Sequence, residues 1–122
     1  MKILVIDDDE ACRISIVNFL RKTGYSVLAC SDGRAGLDIL SQTQDVDLIF
    51  SDLQMPVLSG LELIERVRAS EKWNKVTIIL CSADTTEALQ HKAIKLGAHS
   101  FLPKPIDIVE LISILKVLEV SI

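Results

Sequence analysis

Five short apolar runs, none long enough to be a helix, constrain this chain more than any other feature. They fall at residues 2–6, 26–30, 47–51, 76–81 and 100–102, and runs of that length and make-up suit strands covered on both faces. The stretches between them carry helical spacing instead, over about 10–22, 33–41, 60–70 and 85–96, with a last helix from about Asp107 to Leu118. Strict alternation of strand and helix implies a parallel sheet with right-handed crossovers. Gly24 and Gly97 follow the first and fourth helical stretches, where a left-handed residue can end a helix, and Asp107 is placed to cap the last one.

The third run has the sharpest ending. Leu48, Ile49 and Phe50 give way to Ser51 and Asp52, and Pro56 then prevents simple continuation as strand or helix. Asp52 therefore stands at the carboxyl edge of the expected sheet, the edge at which open α/β sheets bind ligands.

A length of 122 residues with 49% hydrophobic content fits one domain, residues 1–122, with a real core and no room for a second. No apolar run approaches the roughly 20 residues of a membrane span, and residues 1–6 run into Asp7 without a cleavage signature, so the expectation is a cytoplasmic protein with no membrane insertion. Cys12, Cys30 and Cys81 are widely spaced and form no Cys-x-x-Cys pair, which suits buried reduced thiols. A net charge of −4 with scattered Lys and Arg argues against direct nucleic-acid binding.

Acids gather at the expected carboxyl edge. Asp7, Asp8 and Asp9 directly follow the first run, and in a parallel sheet they neighbour Asp52 if the first and third strands are adjacent. Asp9, just before Glu10, suits a helix cap. Asp7 and Asp8 have no such local explanation, and clustered carboxylates repel unless a cation compensates. Oxygen ligands without His or Cys favour a hard ion, Mg²⁺ above all, with Mn²⁺ as a substitute. Ser82, near the end of the fourth run, either caps the next helix or offers its hydroxyl to the same edge. Lys104 sits between Pro103 and Pro105, where its ammonium offsets the acids, and proline at 105 admits a cis peptide bond.

In the last helix, Ile108, Leu111, Ile112, Leu115 and Leu118 share the face expected to cover the sheet, which leaves Val109, Ile114, Val117 and Val120 over. Those four are either partly buried against neighbours or form a docking surface for a partner. Cys12, Ile16 and Phe19 of the first helix repeat the pattern more weakly beside Val17 and Leu20.

Taken in order, Asp7-Asp8, Asp52, Met55-Pro56, Gly60, Ser82, Phe101 and Lys104-Pro105 resemble the landmarks of the receiver domain of two-component response regulators. The resemblance runs from Lys2 to about Leu118. It implies a flavodoxin-like, doubly wound (βα)5 fold with a five-stranded parallel sheet in the order 2-1-3-4-5. It also implies that Asp52 accepts a phosphoryl group from a phosphohistidine on a histidine kinase or histidine phosphotransfer protein. Asp8, Asp52 and the backbone carbonyl of Gln54 would hold Mg²⁺, with Asp7 acting mainly through water, while Lys104 and Ser82 meet the phosphoryl oxygens.

Ser82 and Phe101 would report phosphorylation to the surface of the fourth helix, fifth strand and fifth helix, read by an output partner, an attached domain or a second copy docking on the fifth-helix face. Gln54 and Asp84 occupy positions that tune the acyl-phosphate lifetime in such domains. Phe101 stands where tyrosine is common, and Ser82 where threonine is. The loop at Gln54-Met55-Pro56 looks most like receivers attached to hybrid histidine kinases. On this reading catalysis is limited to the chain's own phosphorylation and dephosphorylation. Two rivals are a Mg²⁺-dependent phosphatase resembling haloacid dehalogenases, with the Asp7/Asp9 spacing as its nucleophile motif, and a receiver-like fold used only for binding.

Overall fold

The computed structural model describes residues 1–121, with side chains as far as Glu119. Strands and helices alternate as β1 Lys2–Ile6, α1 Glu10–Lys22, β2 Ser26–Cys30, α2 Gly33–Gln42, β3 Leu48–Asp52, α3 Gly60–Ala69, β4 Thr77–Ser82, α4 Glu87–Leu96, β5 Ser100–Pro103 and α5 Ile108–Ser121. All strand pairings are parallel, and the order across the sheet is β2-β1-β3-β4-β5. Both the alternation and the strand order match the expectation.

Side chains alternate across the sheet, and this divides the core in two. Ile3, Val5, Phe50 and Ile79 point to the layer of α1 and α5, where they meet Ile16, Leu20, Leu111 and Leu115. Leu4, Ile6, Ile49, Ile78 and Leu80 point to the other layer and meet Leu40, Leu63, Ile64 and Val67 of α2 and α3 with Ala93 of α4. Every residue of β3 is buried, whereas β2 and β5 at the margins are only partly so. Each fully buried aliphatic side chain contributes roughly 1.5–3 kcal/mol, so the three central strands dominate the fold and fix where their ends lie.

Local signals set the helix ends. The Asp9 carboxylate accepts from Cys12 N and starts α1, Asp32 does the same for α2 through Ala35 N, and Ser59 with Glu62 forms a capping box on α3. Asp107 Oδ1 accepts from the amides of Val109 and Glu110 at the start of α5, as expected. Gly24 and Gly97 both have positive φ, 103° and 122°.

Of the boundaries that differ from the sequence expectation, three lie at the carboxyl edge of the sheet. Asp52 and Ser82 are the last residues of β3 and β4 instead of following them, because their backbones stay in the parallel ladder opposite Cys81 and Pro103. The fourth helix starts at Glu87, two residues later than expected, since Asp84 and Thr86 are held in a turn by Asp84 Oδ1 accepting from Thr86 N at 3.1 Å. Cys12 and Cys30 are half-buried and only Cys81 is buried; all three are free thiols.

Leu111, Leu115 and Leu118 are buried, whereas Val109 and Val117 are 76% and 66% exposed and Ile114 is half-buried. Partial burial therefore accounts for Ile114 but not for the two valines. Val120 lies outside the described side chains. No helix among the described residues is long and apolar enough to cross a membrane.

Candidate functional site

Because the strands are parallel, β1, β3, β4 and β5 all end at one edge, and each delivers a polar side chain there. Asp7 follows β1 and has no exposed surface. Its Oδ1 accepts from Asp9 N at 2.9 Å and its backbone carbonyl accepts from Arg13 Nη1 at 2.8 Å. Asp8 is exposed. Asp52, at the end of β3, is 6% exposed, and its Oδ1 accepts from the Gln54 amide at 3.3 Å. Carboxylate oxygens of Asp7, Asp8 and Asp52 lie within 4.8 Å of one another.

Lys104 closes the cluster. The peptide bond to Pro105 is cis, the Lys104 amide donates to Ser82 O at 2.9 Å, and the ammonium donates to Asp7 Oδ2 at 3.2 Å and Asp52 Oδ2 at 3.1 Å. Ser82 is completely buried, and its Oγ accepts from the Asp84 amide at 3.0 Å, which leaves its own proton available to a further acceptor. It does not cap α4. Phe101 pairs with Leu80 in the ladder and packs half-buried on the α2–α4 side of the core. Gln54 and Asp84 are exposed at the rim.

The electrostatics follow from burial and charge. Burial raises the Asp52 carboxyl above the ordinary carboxylate range, aided by the nearby charge of Asp7, although the hydrogen bond and charge of Lys104 oppose the rise. Burial would lower the Lys104 ammonium, but its hydrogen bond to Asp52 and the charges of Asp52 and Asp7 more than reverse this and push it up. Burial, with a hydrogen bond to Asp7, raises the Cys12 thiol to about 11, so it stays neutral at physiological pH.

The loop after β3 is tightly constrained. A Cβ on Gly60 would stand 2.8 Å from Asp52 O and 2.8 Å from Leu53 Cα, so only glycine lets α3 start this close to the backbone at the end of β3. Val57 has φ 72°, and the Leu58 amide donates to Pro56 O at 2.8 Å, a γ-turn that is strained for a β-branched residue.

All the residues singled out from the sequence as a charge cluster, Asp7, Asp8, Asp52 and Lys104, are brought together. Arg13 was not foreseen. The signal available was its position one helical turn after Asp9, which turns it back toward the end of β1. The Asp9 carboxylate caps α1 through Oδ1 and is not part of the Asp7, Asp8 and Asp52 cluster.

Residues 3–116 match the family model of the response regulator receiver domain. The chain belongs to the response regulator receiver family. Among curated relatives, the chemotaxis protein CheY homolog of Campylobacter jejuni is 35% identical over 106 residues, covering 86% of this chain and 82% of the relative. A response regulator receiver protein from Pseudomonas putida superposes with a TM-score of 0.89 at 30% identity, covering 94% of each chain. The receiver domain of a sensor histidine kinase from Pseudomonas aeruginosa, solved with a magnesium ion in its active site cleft, superposes with a TM-score of 0.84 at 30% identity, covering 94% of this chain and 93% of that one. As a receiver, this chain is a component of two-component signalling, the class of protein that takes phosphoryl groups from histidine kinases. The acid cluster of this receiver is an all-oxygen donor set and fits a hard divalent cation.

Proposed function

We propose that this receiver takes a phosphoryl group from a partner phosphohistidine onto Asp52. The observation that carries the reading is the Lys104 ammonium bridging Asp7 and Asp52, at 3.2 and 3.1 Å, inside a cluster of three carboxylates. Buried acids held beside one fixed cation suit a reaction in which negative oxygens must enter the same space.

An Asp52 carboxylate oxygen attacks phosphorus, the bond from phosphorus to the donor's histidine nitrogen breaks, and that nitrogen keeps the electron pair. Asp52 becomes an acyl phosphate. Burial makes its carboxylate more basic and so more nucleophilic. Lys104 transfers one of its contacts to a phosphoryl oxygen, and the free proton of Ser82 is donated to another. Asp8, Asp52 and the backbone carbonyl of Gln54 would hold Mg²⁺ directly and Asp7 mainly through water, with Mn²⁺ as a substitute. Bound there, the metal supplies positive charge toward the equatorial phosphoryl oxygens.

Movement of Ser82 toward the phosphoryl group frees space beside β4 into which Phe101 turns. This shifts the surface of α4, β5 and α5 between two states, and an output protein, an attached domain or a second copy that distinguishes the states is thereby regulated. Ile94 and Val109, 48% and 76% exposed, give that surface apolar contacts. Gln54 and Asp84 border the route of water to the acyl phosphate and set its lifetime.

Acetyl phosphate or a phosphohistidine donor is expected to label the chain only with Mg²⁺ present, and Asp52→Asn is expected to abolish the label. Labelling that survives Asp52→Asn and disappears with Asp7→Asn sinks the assignment.

A further inference from the structure

The opposite edge of the sheet, where β3 and β4 begin, holds a cavity of about 550 Å³ that the phosphoryl chemistry does not use. Its walls are the segment before β3, residues 43–47, and residues 72, 73 and 75–77, which lead into β4 and include its first residue. The length of β3 separates it from Asp52 by roughly 15 Å at about 3.3 Å per strand residue. Its volume lies within the roughly 300–1,000 Å³ typical of sites for small organic ligands.

Its lining is specific in three respects. The floor is apolar, with Leu40 and Val46 buried and Val76 half-buried. Trp73 forms part of the wall, and its indole Nε1 is shut off from solvent with no acceptor, the only buried side-chain nitrogen or oxygen so placed among the described residues. Finally, Lys72 and Lys75 are exposed at the mouth and take part in no ion pair among the described residues. Asp47, on the same rim, is already engaged, with Oδ2 accepting from Lys2 N at 2.8 Å.

We infer that this cavity binds a small organic monocarboxylate. The apolar body lies on Leu40, Val46 and Val76 beside the indole ring, and the carboxylate reaches Lys72 and Lys75. A dianion such as phosphate fits less well, because Asp45 and Asp47 share the rim and their negative charge opposes a second negative charge on the ligand. The Trp73 ring is part of the wall, so a bound ligand changes the surroundings of its indole. The indole signal then reports occupancy.

The chain has one tryptophan, so an isotope-labelled sample gives one indole N–H resonance. The full chain is titrated with hydrocinnamate, and in parallel with hydrocinnamyl alcohol and inorganic phosphate. Hydrocinnamate is expected to move the Trp73 indole resonance and the amides of residues 43–47 and 72–77 saturably, with affinity about fivefold weaker in the double variant Lys72→Ala, Lys75→Ala. Both lysines are exposed, and an unchanged amide spectrum elsewhere shows that the variant is folded. The inference is overturned by the absence of a saturable shift, by equal binding of the alcohol, by unchanged affinity in the double variant, or by phosphate moving the same amides as strongly.

Discussion

The segment entering β3 lines an apolar-floored cavity edged by loose lysines, whereas the last residue of β3 meets an ammonium and two further carboxylates. The difference follows from connectivity. In a βα repeat each helix starts at the carboxyl edge of the sheet and ends at the amino edge, so the helix dipoles put partial positive charge at one edge and partial negative charge at the other. Acids gather at the first, as Asp7, Asp8, Asp52 and the caps Asp9 and Asp32 show. Cations gather at the second, as Arg21 and Lys22 of α1, Arg66 and Arg68 of α3 and Lys95 of α4 show. Arg68 is the clearest case: its guanidinium donates to the carbonyls of Asn74, Val76 and Gly97 at 2.6–3.2 Å and ties the end of α3 to the end of α4.

Substitutions can break this contrast. Lys104→Ala has the largest expected effect, a loss of about 3 kcal/mol in denaturant unfolding without divalent cation, because it strands two buried carboxylates. Adding Asp52→Asn to it is expected to return part of that loss, and a strictly additive double variant would contradict the coupling. In the phosphorylated state Lys104→Ala is also expected to uncouple labelling from partner affinity; affinity that still changes on phosphorylation would refute this.

At the amino edge, Arg68→Ala is expected to lower stability by about 2 kcal/mol through its lost carbonyl contacts, with the extent of labelling at Asp52 unchanged. Asp52→Asn alone should act in the opposite direction. Since burial raises its carboxyl, the charged form opposes folding at neutral pH, so a melt without Mg²⁺ is expected to show a gain in stability that disappears on acidification.

An effect confined to alkaline pH concerns Tyr25, which leads into β2 at the amino edge. Burial, with a hydrogen bond to Glu119, raises its phenol to about 12. The unfolded chain releases that proton first, so its stabilising contribution is complete below the ordinary tyrosine range and is lost as pH climbs through about 12. An ultraviolet titration of this single tyrosine that shows an ordinary phenol would remove the effect.

Much of this arrangement was legible in the sequence because it rests on local signals. Apolar runs ending in Asp7 and Asp52 marked the carboxyl edge, and the caps Asp9 and Asp107 marked helix starts. The strand order came from the family resemblance, since periodicity alone does not say which strands are neighbours. The ends of β3 and β4 were one residue short, because Asp52 and Ser82 have polar side chains while their backbones still belong to the ladder. Nothing in the spacing of Lys72, Trp73 and Lys75 marks a cavity, which exists only where that loop faces residues 43–47 across two strands. Arg68 was equally silent, since an arginine at a helix end usually meets solvent and here meets three backbone carbonyls instead.

The pair that closes the site, Asp7 and Lys104, is separated by 97 positions along the chain. During synthesis the acids emerge early and the lysine late, so a growing or truncated chain carries the acid cluster without its counter-charge. Closure of the acid cluster thus arrives only when the fifth strand docks. A chain that stops short of that strand leaves two buried carboxylates facing each other with no ammonium between them, so the last strand to be made is the one that settles the charge at the site.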